Sequence, residues 1–420
     1  SWDSADQIPL RAVESGSIPE FGSVEEDVGG QSARYSLSTN YRSDHGDTAT
    51  TWSAYAIHYD LNLWSNFTYF LEDPVNGDEF EQAESRMVYG VNFAHNLLHA
   101  HFGEHDVRHS FGAQLRYDVI DDIGLYHTAA RDRIQAVRVD DVQELAAAVF
   151  YENEIQWSPH WRSVFGLRAD YYAFDVESDL EANTGRADDW MLSPKFSLIY
   201  SPHRMLEFYS SFGLGFHSND ARGTTITVDP TDLSAVDSVD PLVRSSGAEA
   251  GLRVHWNDQL NSALSVWWLQ LDSELLYVGD GGATEASEGS ERYGIEWTND
   301  YRPVEWLTLD LDLALTHARF ENGDEIPGAL NAVVNGGVSY RGQSGLFGSL
   351  RARYFGSRPL TEDGSIESDP SLVLNLKAGY DFTPNLRLSF DVLNLLDSQD
   401  DDITYYYESQ LAGEVSGVED

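Results

Sequence analysis

The sequence has no cysteine, so neither disulfides nor thiolate metal sites can contribute to it. Only Lys195 and Lys377 are lysines, and 26 basic residues stand against 70 acidic ones, a net charge of −44. A surface this acidic repels phosphate backbones, which excludes nucleic acid as a partner. The charge suits a salty habitat or a cationic ligand, and the habitat is the plainer reading. No stretch approaches the ~18 apolar residues of a membrane-crossing helix, and the first residues show neither the charged n-region nor the apolar h-region of a signal peptide. There is no Pro-, Ser- or Gly-rich linker, so residues 1–420 read as one domain. Also missing are a G-x-S-x-G elbow, a P-loop, an H-E-x-x-H helix and a dinucleotide fingerprint. Carboxylate pairs arise by chance among so many acids; neither enzymatic chemistry nor a cofactor is expected.

What the chain does have is alternation. From Trp306 to Thr316, Leu307, Leu309, Leu311, Leu313 and Leu315 alternate with Thr308, Asp310, Asp312, Ala314 and Thr316, the period of two of a strand between unlike environments. "SLVLNLKAGYDF", "SFGAQLRYDV", "GAEAGLRVHW" and "ELAAAVFYENEIQW" repeat it. The whole chain reads as about sixteen strands of about 10–15 residues, long enough to cross a bilayer when tilted. Short turns (157–161, 200–205, 256–259, 302–306, 341–345, 382–385) alternate with long segments near 64–85, 122–142, 178–190, 218–244, 278–290, 321–328 and 358–369. Aromatics flank the strand ends: Trp52, Trp157, Trp161, Trp256, Trp306, Tyr340, Phe382 and Tyr405–Tyr407. The expected fold is all-β, a transmembrane antiparallel up-and-down β-barrel with two aromatic girdles, set in outer-membrane lipid. Propellers and sandwiches also alternate, but with strands of about 5 or 6 residues and, in propellers, a fixed repeat period.

The segments 243–253, 290–320, 348–360 and 374–409, the last carrying "DVLNLLD", resemble the C-terminal barrel portion of TonB-dependent outer-membrane receptors. That resemblance implies a 22-stranded barrel preceded by a plug. It places five strands before Ser1 and one after Asp420, because the first strand here (about 31–43) leads into a short turn and the last (about 385–396) into a long loop. It further implies energised import of a scarce nutrient, such as a ferric siderophore, cobalamin, haem or an oligosaccharide. The partners so implied are the TonB–ExbB–ExbD complex, reached through the plug, and the small-molecule nutrient itself. The alternatives are a plugless, cation-preferring diffusion porin and an adhesive or structural barrel.

Candidate sites follow from the strand registers. Glu152, Glu154, Arg168, Asp170, Glu249, Arg253, Glu296, Asp310, Asp312, Arg351 and Arg353 fall on the wet face, where they line a substrate path or simply furnish the polar lumen of any such barrel. Trp2, Phe21, Phe70 and Phe80 sit in segments expected over the mouth, able to stack on a ligand or to pack loop against loop. Two metal sets are chemically conceivable: carboxylates Asp397, Asp400, Asp401 and Asp402, whose spacing matches no recognised calcium loop, and His99 with His101 in a histidine-rich turn. A solvated acidic loop and a plain polar turn are the competing readings.

Overall fold

A computed structural model describes the chain except residues 4–5, 279–282, 287, 402 and 420, and without the side chains of His99, 275–278 and 283–286. After a two-residue β1 (Trp2–Asp3) and a short α1 (Leu10–Glu14), the chain enters a meander. Its first half is β2 (Gly29–His45), β3 (Thr48–Ser65), β4 (Phe80–Phe102), β5 (His105–Ala129), β6 (Asp132–Gln156), β7 (Trp161–Ser178), β8 (Gly185–His203) and β9 (Leu206–Ser218). A helical turn, α2 (Ala221–Thr225), precedes β10 (Leu242–Trp256) and β11 (Leu260–Leu271). The hairpin of β12 (Leu275–Val278) and β13 (Ala283–Ala286) stands in the next loop. The second half continues with β14 (Ser290–Val304), β15 (Leu307–Phe320), β16 (Ala332–Arg341), β17 (Leu346–Phe355), β18 (Ser371–Thr383) and β19 (Leu386–Val392). A last small pair, β20 (Glu408–Ser409) and β21 (Val418–Glu419), closes the description.

Setting aside β1 and the two small pairs, sixteen strands form one antiparallel wall in sequence order. Among the described residues no ladder joins β19 back to β2. The wall nevertheless bends round. Tyr69, above β3, bridges Gln410, beyond β19, and Arg11 meets Glu414 at 2.9 Å, contacts a flat sheet of this width would forbid.

The two faces sort as the alternation predicts. Val91, Leu115, Ala147, Tyr171 and Trp190 lie side by side on five successive strands. This is the apolar face, where exposed aromatics and leucines concentrate. At the short-turn rim the girdle is a run of touching rings: Trp161 on Tyr200 (4.4 Å), Trp306 against Tyr340 (5.7 Å) and Tyr380 against Phe382 (4.8 Å). Such rings favour the headgroup level.

Strand height departs from expectation. The segment 122–142, expected as a long loop, is instead the upper part of β5 and β6, each 25 residues. They join through a two-residue turn, Ala130–Arg131, with both φ angles positive (51° and 63°), as a type I′ hairpin requires. The charged sequence there is not loop chemistry. It is the alternation of strands that continue past the apolar stretch, with a bulge at Ile120/Ile123 where Asp122 has φ 51°. At the other end β19 stops at Val392 rather than near 396. Asn394 and Asp397 take positive φ, and Asn394 folds its side chain onto Ser398 instead of continuing the ladder.

Candidate functional site: the inner wall and its crown

Side chains on the concave face of a curved wall converge, so they can reach past an immediate neighbour. This is observed on the charged face. Glu152 pairs with Lys195 over Gly166, whose missing side chain makes room: a Cβ there would meet Lys195 Cε at 2.5 Å. Asp310 pairs with Arg351 at 2.8 Å over Gly337 in the same way. The charged face is therefore the inside.

Toward the short-turn rim five inner-wall charges alternate in sign: Arg108, Glu154, Arg162, Glu207 and Arg253. Successive nitrogen–oxygen distances are 3.5, 3.7, 3.9 and 2.9 Å. Arg253 also lies 4.5 Å over the Tyr209 ring, and the Tyr209 hydroxyl donates to Glu249. Higher up, Arg168 binds Asp170 at 2.7 Å and donates to Gln114 at 2.8 Å, two strands away. A cavity of about 530 Å³ opens here, lined by Gln114, Phe150, Glu152, Arg168, Lys195 and Phe216. Both lysines face this interior, Lys377 pairing with Asp391 at 3.0 Å. Arg353 lies over Phe355 at 5.0 Å. Glu296 and Asp312 remain exposed, without an ion-pair partner among the described residues.

Sequence reasoning missed the partners Arg108, Arg162, Lys195 and Glu207, although each is on the wet register of its strand. It also missed a deeper layer. Asp118 is buried between Arg116 (2.6 Å) and Arg86 (3.7 Å), and Arg138 and Asp140 pair with almost no exposure. Over them the loop 219–241 folds inward. Ala221 of α2 is fully buried against Ile120, Val142, Phe174 and Val176, and Arg138 donates to the Arg222 carbonyl. The long segment between β9 and β10 thus partly lines the interior.

The crown is made of 6–28, 66–79 and 403–419. Asn66, 1% exposed, ties the first two: its backbone N–H donates to Asp6, its side-chain N–H to Glu25, and its Oδ1 accepts from Tyr69 N–H. Phe80 is buried edge-on to Phe67, which meets Tyr407 edge-on (5.7 and 5.8 Å). Trp2 lies flat over Gly30 of β2, and Phe70 is half-buried beside Gly77. Phe21 alone of the four aromatics stands almost fully in solvent, at 97% exposure. The loops at this end stay acidic. N–H groups of Asn76 and Val75 hold Asp73 down at about 2, and the hydroxyl of Thr361 with the N–H of Ser365 does the same for Asp363.

Neither expected metal set assembles among the described residues. Asp397 caps a local turn through its N–H, Asp400 accepts from Ser398, Asp401 is exposed and Asp402 lies outside the described residues. His101 pairs with Asp106 at 3.3 Å, while the side chain of His99 is outside the description. The other histidines of that turn have separate partners: His95 with Thr50, His105 with Trp157, His109 with Tyr151. The one grouping of three metal-competent side chains among the described residues is Glu25, Asp27 and Glu79.

Comparison with known proteins follows the architecture. The family model described as TonB dependent receptor-like, beta-barrel, matches residues 8–395. No curated protein matches. Among solved structures, the ferric citrate transporter FecA superposes with TM-score 0.72 at 12% identity, over 93% of this chain and 60% of that one. The ferric yersiniabactin uptake receptor FyuA from Yersinia pestis gives 0.68 at 12%, over 93% and 60%. The copper transporter OprC gives 0.70 at 16%, over 89% and 61%. At such identities the likeness is one of fold, and the chain spans about 60% of the length of these proteins.

Proposed function

Because the chain belongs to the TonB-dependent receptor β-barrel family, we propose that it forms the barrel wall of an outer-membrane transporter that captures a scarce nutrient and imports it with TonB-supplied energy. The observation that supports this most is the inner wall itself. Five of its charges are joined from β5 to β10 into a ladder of alternating sign, beneath loops that fold inward, while the opposite face is apolar. A ladder already internally paired, three arginines against two glutamates, offers a plug or a passing ligand polar partners of both signs, so a substrate can bind and still leave.

The work is non-covalent. Outer loops make the first contact, with Phe21 the aromatic free to stack, Trp2 and Phe70 partly available, and Phe80 holding the loops that present them. Displacement of a plug by TonB–ExbB–ExbD would then open the path past Glu152, Lys195 and Arg168. The ligand class is a ferric siderophore, cobalamin, haem or an oligosaccharide.

The test is uptake of a labelled panel of those four classes by cells expressing the receptor, with and without functional TonB. Energised import predicts saturable uptake of one class that collapses without TonB. Uptake that is non-saturable and indifferent to TonB would replace this reading with a diffusion pore.

A further inference from the structure

The crown contains a charge imbalance that the transport reading leaves unused. Glu25 and Asp27, on the segment entering β2, and Glu79, just before β4, bring carboxylate oxygens within 4.8 Å of one another. Glu79 is 1% exposed. Its Oε1 accepts the Thr128 hydroxyl (2.8 Å) and the Arg131 N–H (2.9 Å), but its Oε2 is closed off from solvent with no hydrogen-bond partner. A buried carboxylate oxygen left unpaired is costly, and here two more acids adjoin it. The arginine at the hairpin tip does not resolve this: the Arg131 guanidinium is turned to the carbonyls of Asp27 and Val28 and to Asp3.

We propose that Glu25, Asp27 and Glu79 form a binding site for a divalent cation of the calcium class, which clips the segment before β2 to the β3–β4 loop and the β5–β6 hairpin tip. The donors are all oxygen, which argues for a hard cation and against zinc or copper. Two oxygens at calcium's bonding distance of about 2.4 Å can be no more than ~4.8 Å apart, and the three carboxylates keep within that limit. Glu25 and Asp27 are only half-buried, so waters can complete a shell of about 6 to 8 oxygens. Magnesium fits less well, because it demands near-octahedral geometry and keeps most of its own waters. The site is separate from the acidic run that begins at Asp397, whose described residues form no such group.

The experiment uses the full chain in detergent micelles, stripped with chelator and titrated with calcium chloride by calorimetry. Terbium luminescence, sensitised by neighbouring Trp64, gives a second readout. The expected result is one ion per chain, saturating below millimolar, with Glu79→Gln and Glu25→Gln each weakening binding at least tenfold. Asp363→Asn, on another outer loop, should bind as wild type. Calcium should also slow protease cleavage within 10–24 in the wild type and not in Glu79→Gln. Heat-modifiable gel migration confirms that each variant is folded; both glutamine changes relieve repulsion and should preserve the barrel. No saturable binding below millimolar calcium, or unchanged binding in both glutamine variants, overturns the site. Magnesium competing at equal concentration overturns the calcium assignment.

Discussion

The wall has a tall side and a low side. β4, β5 and β6 run 23 to 25 residues, a path of about 80 Å at a strand's rise per residue. β16 to β19 run 7 to 13 residues, about 25–45 Å on the same arithmetic. On the tall side the inner face buries Ile120, Val142, Phe174 and Val176 together with the Arg138–Asp140 pair under α2. In β18 and β19 no residue is buried, and Leu388 and Phe390 are about two-thirds exposed. One side therefore gains stability as a soluble protein does, by withdrawing apolar surface from water. The other depends on lipid to cover it.

The sharpest way to break this contrast is to remove one partner of a buried ion pair on the tall side. Arg138→Met strands Asp140, which has one oxygen already unpartnered, in a site closed off from solvent. The expected loss is about 3–5 kcal/mol in a urea titration of the refolded barrel. The matching change on the low side, Lys377→Met, breaks a half-exposed pair and should cost about 0–1 kcal/mol. Equal costs would mean the tall side is hydrated inside and the distinction is wrong.

A somewhat smaller effect is expected from the lipid face. Leu311→Arg puts a charge where the apolar ladder Leu311–Gly336–Ala352–Leu374 meets the bilayer, and should destabilise by roughly 2–4 kcal/mol. Asp310→Asn, one residue away on the inner face, loses only the pair with Arg351 and should cost under about 1 kcal/mol. A folding titration in vesicles that ranks the two the other way would reverse the assignment of faces.

Much of this was legible in the sequence because the side-chain period of a strand is fixed geometry. Leucine at every second position from 307 to 315 sets an oily face whatever the rest of the fold, and Gly or Pro with aromatics marks the short turns. Height was not legible. Above the membrane the outside solvent is water, so β5 and β6 lose their oily face and look like an acidic loop, as Asp121, Asp122 and Asp132 did. The inner-wall residues could be placed on a face but not paired, because pairs such as Glu152 with Lys195 skip a strand and depend on curvature and on a glycine between them. Least legible was the crown: Glu25, Asp27 and Glu79 share no motif, and only the folding of 6–28 onto 66–79 brings them together.

The smallest effect tests how the two sides are held to each other at the top. Beyond the low side, Glu414 accepts from Leu411 N–H at 2.6 Å and from Arg11 at 2.9 Å, which joins 403–419 to the segment before β2. The Arg11 guanidinium holds the Glu414 carboxyl below the usual glutamate range. A carboxylate depressed on folding contributes stability in full above its unfolded pKa and loses it as pH falls through the folded value. The tether should therefore be indifferent to pH from neutrality down to the ordinary glutamate range and weaken below it. The readout is hydrogen exchange at Leu411, corrected for the intrinsic pH dependence of the rate. Protection should fall several-fold below that range in the wild type, and should already be absent at pH 7 in Glu414→Gln, while amides of β5 and β6 stay protected throughout. If tall-side amides lose protection together with Leu411, the crown and the tall wall open as one unit, and the boundary between water-built and lipid-built regions lies lower than strand height suggests.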